Sequence, residues 1–94
     1  MDKEDILKIL KQKKDLFSIK QFILFGSFAK GNNTAKSDVD IAYILKDGFR
    51  LSFDKYLELE SELSSHFKTN IDLVNYKKLN PLVKLNAKKD FIYV

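Results

Sequence analysis

The strongest constraint on the fold is the alternation of amphipathic helical stretches with short apolar runs along a chain of 94 residues. The helical stretches are residues 3–17, 52–67 and a last one opened by Asn80-Pro81. The strand-like runs, rich in aromatic and β-branched residues, are 20–25, 38–45 and 70–75. A short helical piece after Gly26 completes the order α-β-α-β-α-β-α, which predicts an α/β sandwich around a small sheet. The length predicts a single domain, residues 1–94.

The stretch 52–67 carries an apolar stripe at helical spacing, which we expect to face the core. The stripe comprises Phe53, Tyr56, Leu57, Leu63 and Phe67. Ser52 stands where a helix cap is expected, because its hydroxyl can accept a hydrogen bond from a free backbone N–H group. The apolar tail, residues 91–94, is expected to add a strand or to pack across the domain.

The composition excludes several classes of protein. A content of 45% hydrophobic residues supplies enough apolar bulk for a core, which excludes a disordered chain. The absence of Cys excludes disulfides and thiolate chemistry. No apolar run is long enough to span a membrane, and the charged N-terminus is unlike a secretory signal. These features predict a cytoplasmic protein that does not associate with membranes.

The net charge of +4 is unevenly distributed along the chain. Residues 76–94 contain five Lys and one Asp, whereas residues 51–75 carry a net charge of −3. Arg50 is the only Arg among 17 basic residues, and Arg is the side chain that best reads bases and phosphates. We therefore expect a solvated Lys-rich surface and no direct DNA binding. A weaker alternative is that the C-terminal Lys residues meet an acidic or RNA-bound partner.

Two short motifs separated by ten residues, Gly26-Ser27 and Asp38-Val39-Asp40, carry the chemistry. Gly26 permits a sharp turn at the end of a strand, and Ser27 begins a helical piece whose free N–H groups favour a phosphate. Asp38 and Asp40 alternate along a strand, so their carboxylates share a face and repel each other unless a cation is bound. If the first two strands are antiparallel neighbours, both motifs converge on one spot.

Asp72 supplies a third carboxylate, inside an apolar run between Ile71 and Leu73. A carboxylate in such a run needs a partner. If its strand flanks the strand of Asp40, the three acids form one cluster. Hard oxygen ligands suit Mg²⁺ or Mn²⁺, and three acids with one or two such ions make a phosphoryl-transfer site.

The sequence around these residues resembles that of a known family. It reads Leu24-Phe25-Gly26-Ser27-Phe28-Ala29-Lys30-Gly31, then Ser37-Asp38-Val39-Asp40-Ile41, then Ile71-Asp72-Leu73-Val74. This pattern resembles the DNA polymerase β-like nucleotidyltransferase superfamily and, within it, the minimal nucleotidyltransferases (MNT) that include MntA-type antitoxins. The resemblance, which spans roughly residues 20–94 and rests on spaced motifs, implies a small mixed sheet of three or more strands flanked by about four helices.

The resemblance also implies an activity and a role for each residue. The nucleotide-binding residues would be Gly26, Ser27 and Lys30, the last standing where the family often has Arg. The catalytic and metal-binding residues would be Asp38, Asp40 and Asp72, with two Mg²⁺ ions expected and Asp72 also helping to deprotonate the acceptor hydroxyl. The implied reaction transfers AMP from ATP to a tyrosine of a HEPN ribonuclease toxin encoded nearby. The protein would then be the antitoxin, in a hetero-oligomer with its toxin.

Each residue taken alone also has an ordinary structural interpretation. Gly26 fits a simple strand-to-helix turn, Asp38 a loop cap and Asp72 a surface ion pair, but their spaced combination favours the site. Lys30 fits a phosphate contact and a solvated surface equally well. His66 is better explained by its place near a helix end than by catalysis, because no second His exists.

Two other functions stay open at this point. The protein can neutralise a toxin by binding alone with a vestigial site, although three intact acids argue against this. It can also modify a small molecule such as an aminoglycoside, although enzymes of that kind usually carry an additional substrate-binding domain.

Overall fold

The computed structural model of the protein describes residues 2–34 and 36–94, so the predicted loop 32–37 is described except at position 35. The helices are α1 (Lys3–Lys13), α2 (Gly26–Lys30), α3 (Phe53–Phe67) and α4 (Pro81–Ala87). The strands are β1 (Ile19–Phe25), β2 (Val39–Leu45), β3 (Ile71–Asn75) and β4 (Ile92–Tyr93). Short 3₁₀ turns cover Asp15–Phe17, Tyr76–Lys78 and Lys88–Asp90. The predicted α/β class and element order are confirmed, and the first helix ends earlier than predicted.

The four strands form one mixed sheet in the order β3-β2-β1-β4. β1 pairs antiparallel with both β2 and β4, and β2 pairs parallel with β3. A parallel pair requires a crossover connection, which α3 supplies. The two pairings on which convergence of the motifs depends are both present, since the first two strands are antiparallel neighbours and the third flanks the second.

Apolar clusters cover both faces of the sheet. The larger cluster packs α1 and α3 against one face, and its fully buried helical residues are Ile6, Leu10, Leu59 and Leu63. The smaller cluster, which includes Val83 and Ala87 of α4, covers the other face; its buried residues are Ile23, Phe25, Ala42, Leu79 and Phe91. Because side chains alternate across a strand, Asp40 falls on the same face as Ala42. The acids of the sequence motif therefore lie on the α4 side of the sheet.

The predicted apolar stripe of α3 is wrong at two positions. Leu63 and Phe67 are buried, but Phe53 is 72% exposed and Leu57 is 42% exposed. Leu59, which the predicted stripe omits, is fully buried. At about 3.6 residues per turn, Leu57 and Leu59 point about 160° apart. The helix packs through the line of Leu59, Leu63 and Phe67, four residues apart, and leaves Leu57 on its flank.

Side-chain hydrogen bonds define the ends of α3 and α4 and one edge of the sheet. Ser52 Oγ accepts from the backbone N–H of Lys55 at 3.2 Å, and Asn80 Oδ1 accepts from that of Leu82 at 2.8 Å, which confirms both predicted caps. The Tyr56 hydroxyl donates to the carbonyl oxygen of Leu73 at 2.6 Å, so α3 covers part of the free edge of β3. None of the helices in the described ranges is both long and apolar enough to cross a membrane.

Candidate active site

The turn after β1 lies directly against the carboxylate of Asp40. Asp40 pairs with Phe25, the last residue of β1, and the next residue, Gly26, has a φ of +75°. A Cβ atom built on Gly26 would lie 2.9 Å from Cγ of Asp40 and closer still to its Oδ2. Only glycine combines this positive φ with so close an approach of backbone to side chain. The two sequence motifs therefore meet at one place in the fold.

Asp72 stands next to Asp40 on the neighbouring strand. The parallel register of β2 and β3 pairs Asp40 with Asp72, and paired strands lie about 4.8 Å apart. Burial raises the pKa of Asp40 above its ordinary value, and the negative charges of Asp72 and Asp38 raise it further. The three carboxylates thus form one cluster in which the central acid is exposed to the negative charge of both neighbours.

The cluster of three carboxylates is open to solvent. Asp38 and Asp72 are exposed, whereas Asp40 is half-buried. Within residues 2–34 and 36–94, none of the three acids forms an ion pair. Like charges held together in this way are stabilised by a bound cation, and a ligand can reach them from solvent.

The donor set suits a hard divalent cation, although the described side chains do not enclose one. Among these residues, no three Asp, Glu or His side chains are close enough together to hold a metal ion as they stand. Three carboxylates provide the oxygen ligands that Mg²⁺ prefers. Asp40 and Asp72 are already paired neighbours in the sheet, so drawing their oxygens around an ion requires side-chain rotation and no change in register.

The other two predicted nucleotide-binding residues lie on α2. Ser27 is half-buried in the first turn, and Phe25 at the cap position makes no side-chain hydrogen bond to the helix. The backbone N–H groups at the start of α2 therefore have no side-chain cap from this residue. Lys30 is exposed in the last turn, before Gly31, whose N–H donates to the carbonyl oxygen of Ser27 at 2.9 Å. The fold thus joins Ser27 to the acids through Gly26 and leaves Lys30 in solvent at the far end of the helix.

The sequence motifs did not predict that a basic turn lies near α2. The 3₁₀ turn Lys88–Asp90 packs against α2, because pairing of β4 with β1 brings the C-terminal segment back to this side. Phe91 contacts Phe25 edge to face, with ring centroids 6.0 Å apart. Lys88 and Lys89 are exposed, so they add positive charge close to the turn at Gly26. The one sequence signal for this arrangement is the basic composition of residues 76–94.

A cavity of about 650 Å³ is lined by Ser37 and Val39, which flank Asp38, but not by the acids themselves. Its lining includes Phe28, Phe67 and His66, on the side of the sheet that α1 and α3 cover, and it includes none of the three carboxylates. His66 is exposed in the last turn of α3, where a His complements the negative end of the helix. The cavity therefore contributes no group to the acid cluster.

Comparison with known proteins places the chain in a family. The family model described as "Polymerase beta, Nucleotidyltransferase" matches residues 4–94. The chain belongs to the polymerase beta nucleotidyltransferase family. This confirms the resemblance found in the sequence motifs, and the protein is a nucleotidyltransferase.

Individual proteins are also similar to this chain. A protein of Methanocaldococcus jannaschii, named "Putative protein adenylyltransferase MJ1379", is 39% identical over 93 residues, which cover 98% of this chain and 93% of that protein. A crystal structure of a toxin–antitoxin with AMP-PNP contains a chain that is 28% identical, with a TM-score of 0.67. That match covers 83% of this chain and 62% of the solved chain, so this chain spans less than two thirds of its length.

A second solved complex shares the fold. It contains the tri-AMPylated HEPN toxin of Shewanella oneidensis and an MNT antitoxin, and the matching chain is 22% identical with a TM-score of 0.68. The match covers 99% of this chain and 71% of the solved chain. The predicted nucleotidyltransferase fold, a mixed sheet flanked by four helices, is therefore confirmed.

Proposed function

We propose that this nucleotidyltransferase transfers AMP from ATP to a tyrosine hydroxyl of a HEPN toxin and thereby acts as an antitoxin in the cytoplasm. The observation that carries the proposal is the strand register that sets Asp72 beside Asp40, with the backbone of Gly26 against the same carboxylate. The adenylyltransferase name of the M. jannaschii relative supports AMP as the transferred group. The AMPylated toxin in the S. oneidensis complex supports a toxin as the acceptor and a hetero-oligomer as the assembly. Residues 1–94 would act as one minimal catalytic domain.

The turn between β1 and α2 would hold the nucleotide. Gly26 has no side chain to block access to its backbone. The N–H groups at the start of α2 donate no hydrogen bond to the side chain at the cap position, so they are available to a ligand. Such groups bind phosphate oxygens well. Ser27 would add its hydroxyl as a donor, and Lys30 would approach the phosphates with its long side chain. These residues would position the α-phosphorus of ATP over the acid cluster.

The three acids would hold two divalent cations, Mg²⁺ or, in its place, Mn²⁺. When bound, such ions supply positive charge that offsets the charge of the phosphates and stabilises the transition state. Asp38 and Asp40 would each bind through oxygen, and Asp72 would face the acceptor. A carboxylate binds a cation only without its proton, so the raised pKa of Asp40 shifts the acid limit of cation binding to higher pH.

In the transfer step, the tyrosine hydroxyl displaces pyrophosphate from ATP. The tyrosine oxygen attacks the α-phosphorus of ATP while Asp72 accepts the hydroxyl proton. A phosphorus–oxygen bond forms to the tyrosine, and the bond between the α-phosphorus and the bridging oxygen breaks. Pyrophosphate leaves, and the toxin carries AMP as a phosphodiester.

The position of the label in ATP tests this chemistry. The purified protein is incubated with Mg²⁺ and the product of the adjacent reading frame, using ATP labelled either at the α- or at the γ-phosphorus. We expect transfer of the α label alone, loss of transfer with Asp40→Asn, and retention with Asp47→Asn, a matched change in an exposed turn. Absence of α-label transfer to a toxin that is active as a ribonuclease would refute the proposal, and γ-label transfer would indicate a kinase instead.

The same variants separate catalysis from neutralisation by binding alone. If AMP transfer is the antitoxin mechanism, a toxin mixed with the Asp40→Asn variant keeps its ribonuclease activity. Full neutralisation by that variant would show that binding suffices.

A further inference from the structure

The outer side of α4 carries an apolar surface that the reaction does not use. Val83 and Ala87 of this helix pack into the smaller apolar cluster, whereas Leu82 and Leu85 are 64% and 76% exposed. Residues three apart lie on the same side of a helix, so the two Leu side chains form one apolar spot in solvent. Grouped exposed apolar side chains often mark a binding surface.

This apolar spot lies on the same side of the sheet as the carboxylates. Ala42 and Val74, which belong to the cluster that α4 covers, follow Asp40 and Asp72 by two positions in β2 and β3. Side chains two positions apart in a strand point to one face and are about 6.6 Å apart. A polypeptide segment bound along α4 is therefore within a few residues' reach of the acid cluster.

The charges around α4 are mostly positive. The Lys residues of this segment are Lys77, Lys78, Lys84, Lys88 and Lys89, against Asp90 as its single acid. In the part of the chain that the structure describes, none of these five Lys forms an ion pair. Nζ of Lys84 lies 4.5 Å from the ring centroid of Tyr76, an interaction that leaves its positive charge in place. Such a surface favours a negatively charged partner by charge complementarity.

We propose that α4 is the docking surface for the acceptor protein and binds an acidic segment of it that presents apolar side chains to Leu82 and Leu85. The proposal rests on the proposed function, since it names the surface by which that acceptor is recognised. Apolar side chains at the centre and Lys around them match the usual anatomy of a protein–protein interface. A nucleic acid fits less well, because it offers no apolar segment for the Leu pair and because residues 76–94 contain no Arg.

A matched pair of exposed apolar residues elsewhere on the protein provides the control. Leu16, in the first 3₁₀ turn, is 70% exposed, and Phe53, at the start of α3, is 72% exposed. Replacing either pair by Ser removes a similar amount of exposed apolar surface without opening the core. The variant Leu82→Met/Leu85→Met keeps an apolar surface on α4 and serves as the conservative change.

Binding and transfer are measured separately with the product of the adjacent reading frame as the probe. We expect calorimetric titration without nucleotide to give a Kd about 10-fold weaker for Leu82→Ser/Leu85→Ser, and a Kd near that of the unmodified protein for the Leu16→Ser/Phe53→Ser control and for the Met pair. Raising the salt concentration should weaken binding, because the Lys charges are screened. In the transfer assay, the Ser pair on α4 should raise KM for the protein acceptor and leave kcat and the KM for ATP unchanged.

The outcomes distinguish the two proposals. Tight binding without α-label transfer would refute the proposed function and keep the docking surface. Equal affinity of the α4 Ser pair and the unmodified protein, or no binding by the unmodified protein, would overturn the docking surface. The docking surface would also be overturned if a short RNA displaced the acceptor and bound the Leu82→Ser/Leu85→Ser variant as tightly as the unmodified protein.

Discussion

Replacing Gly26 by Ala tests the close approach on which the site depends. The new Cβ would have to share space with the Asp40 carboxylate, whose Cγ is 2.9 Å from the ideal Cβ position. The backbone cannot relax freely, because Phe25 before it is paired with Asp40 in the sheet. We therefore expect Asp40 to rotate away from its position, which lowers both stability and activity.

The magnitude follows from comparison with Gly31, which has a similar φ of +81° and nothing within 4 Å of an ideal Cβ. A left-handed conformation costs a residue other than glycine about 1–2 kcal/mol, and this cost applies to both positions. Forcing the Asp40 side chain off its rotamer adds about 0.5–1.5 kcal/mol at position 26 alone. In a domain of this size, a difference of about 1 kcal/mol lowers Tm by about 4–8 °C. A displaced carboxylate should also slow AMP transfer by about 100-fold.

Thermal unfolding followed by circular dichroism, together with α-label transfer, measures both effects. Gly26→Ala should melt below Gly31→Ala and lose transfer, whereas Gly31→Ala should keep it. In an Asp40→Ala background, which leaves only Cβ at 3.2 Å from the new methyl, the two glycine substitutions should cost nearly the same. Equal Tm and equal transfer for Gly26→Ala and Gly31→Ala in the native background would refute the reasoning.

Four further predictions concern charge, cation binding, the sheet edge and the core. Folding raises the pKa of Asp40, so the stability that this group contributes is lost as pH rises through that pKa. Without metal, Asp40→Asn should therefore melt at a higher temperature than the unmodified protein at pH 7, and this difference should disappear in acid. The control Asp47→Asn should not melt at a higher temperature at pH 7. Mg²⁺ should raise Tm of the unmodified protein and leave that of Asp40→Asn nearly unchanged. Tyr56→Phe removes the hydrogen bond to Leu73 and should cost about 1 kcal/mol in thermal unfolding, with Tyr43→Phe as the control. In urea unfolding, Leu59→Ala should cost about 2–5 kcal/mol and Leu57→Ala less than about 1 kcal/mol, and similar costs would contradict the packing of α3.

The parts of the fold that local chemistry determines could be predicted from the sequence. Asn80 and Ser52 cap helices through their own side chains, whereas Asp38, predicted to lie inside the second strand, stands one residue before β2 begins at Val39. The pairing of Asp40 with Asp72 could be stated only as a condition, because sequence does not reveal which strands are neighbours. The register of the parallel strands β2 and β3 determines this pairing.

The features that sequence did not predict depend on contacts between distant segments. Phe53 and Leu59 are both apolar and both lie on α3, and only the orientation of the helix on the sheet leaves the first exposed and buries the second. The basic turn Lys88–Asp90 reaches α2 because β4 pairs with β1. Neither outcome follows from periodicity or composition within a single segment.

The strands that bring the three carboxylates together, against their electrostatic repulsion, also fix the backbone positions of these residues. Ile41, directly after Asp40, is fully buried in the larger cluster and Ala42 in the smaller one, so β2 is fixed by packing on both faces. A strand fixed in this way cannot move the backbone of Asp40 away from that of Asp72 when their carboxylates repel. The repulsion therefore remains in the folded protein, and if a cation binds as proposed, part of the free energy of its binding would come from relief of this repulsion. An enzyme with this arrangement should gain stability and bind its cation and nucleotide together, because the phosphates of ATP add oxygen ligands at the end of the sheet where Gly26 turns.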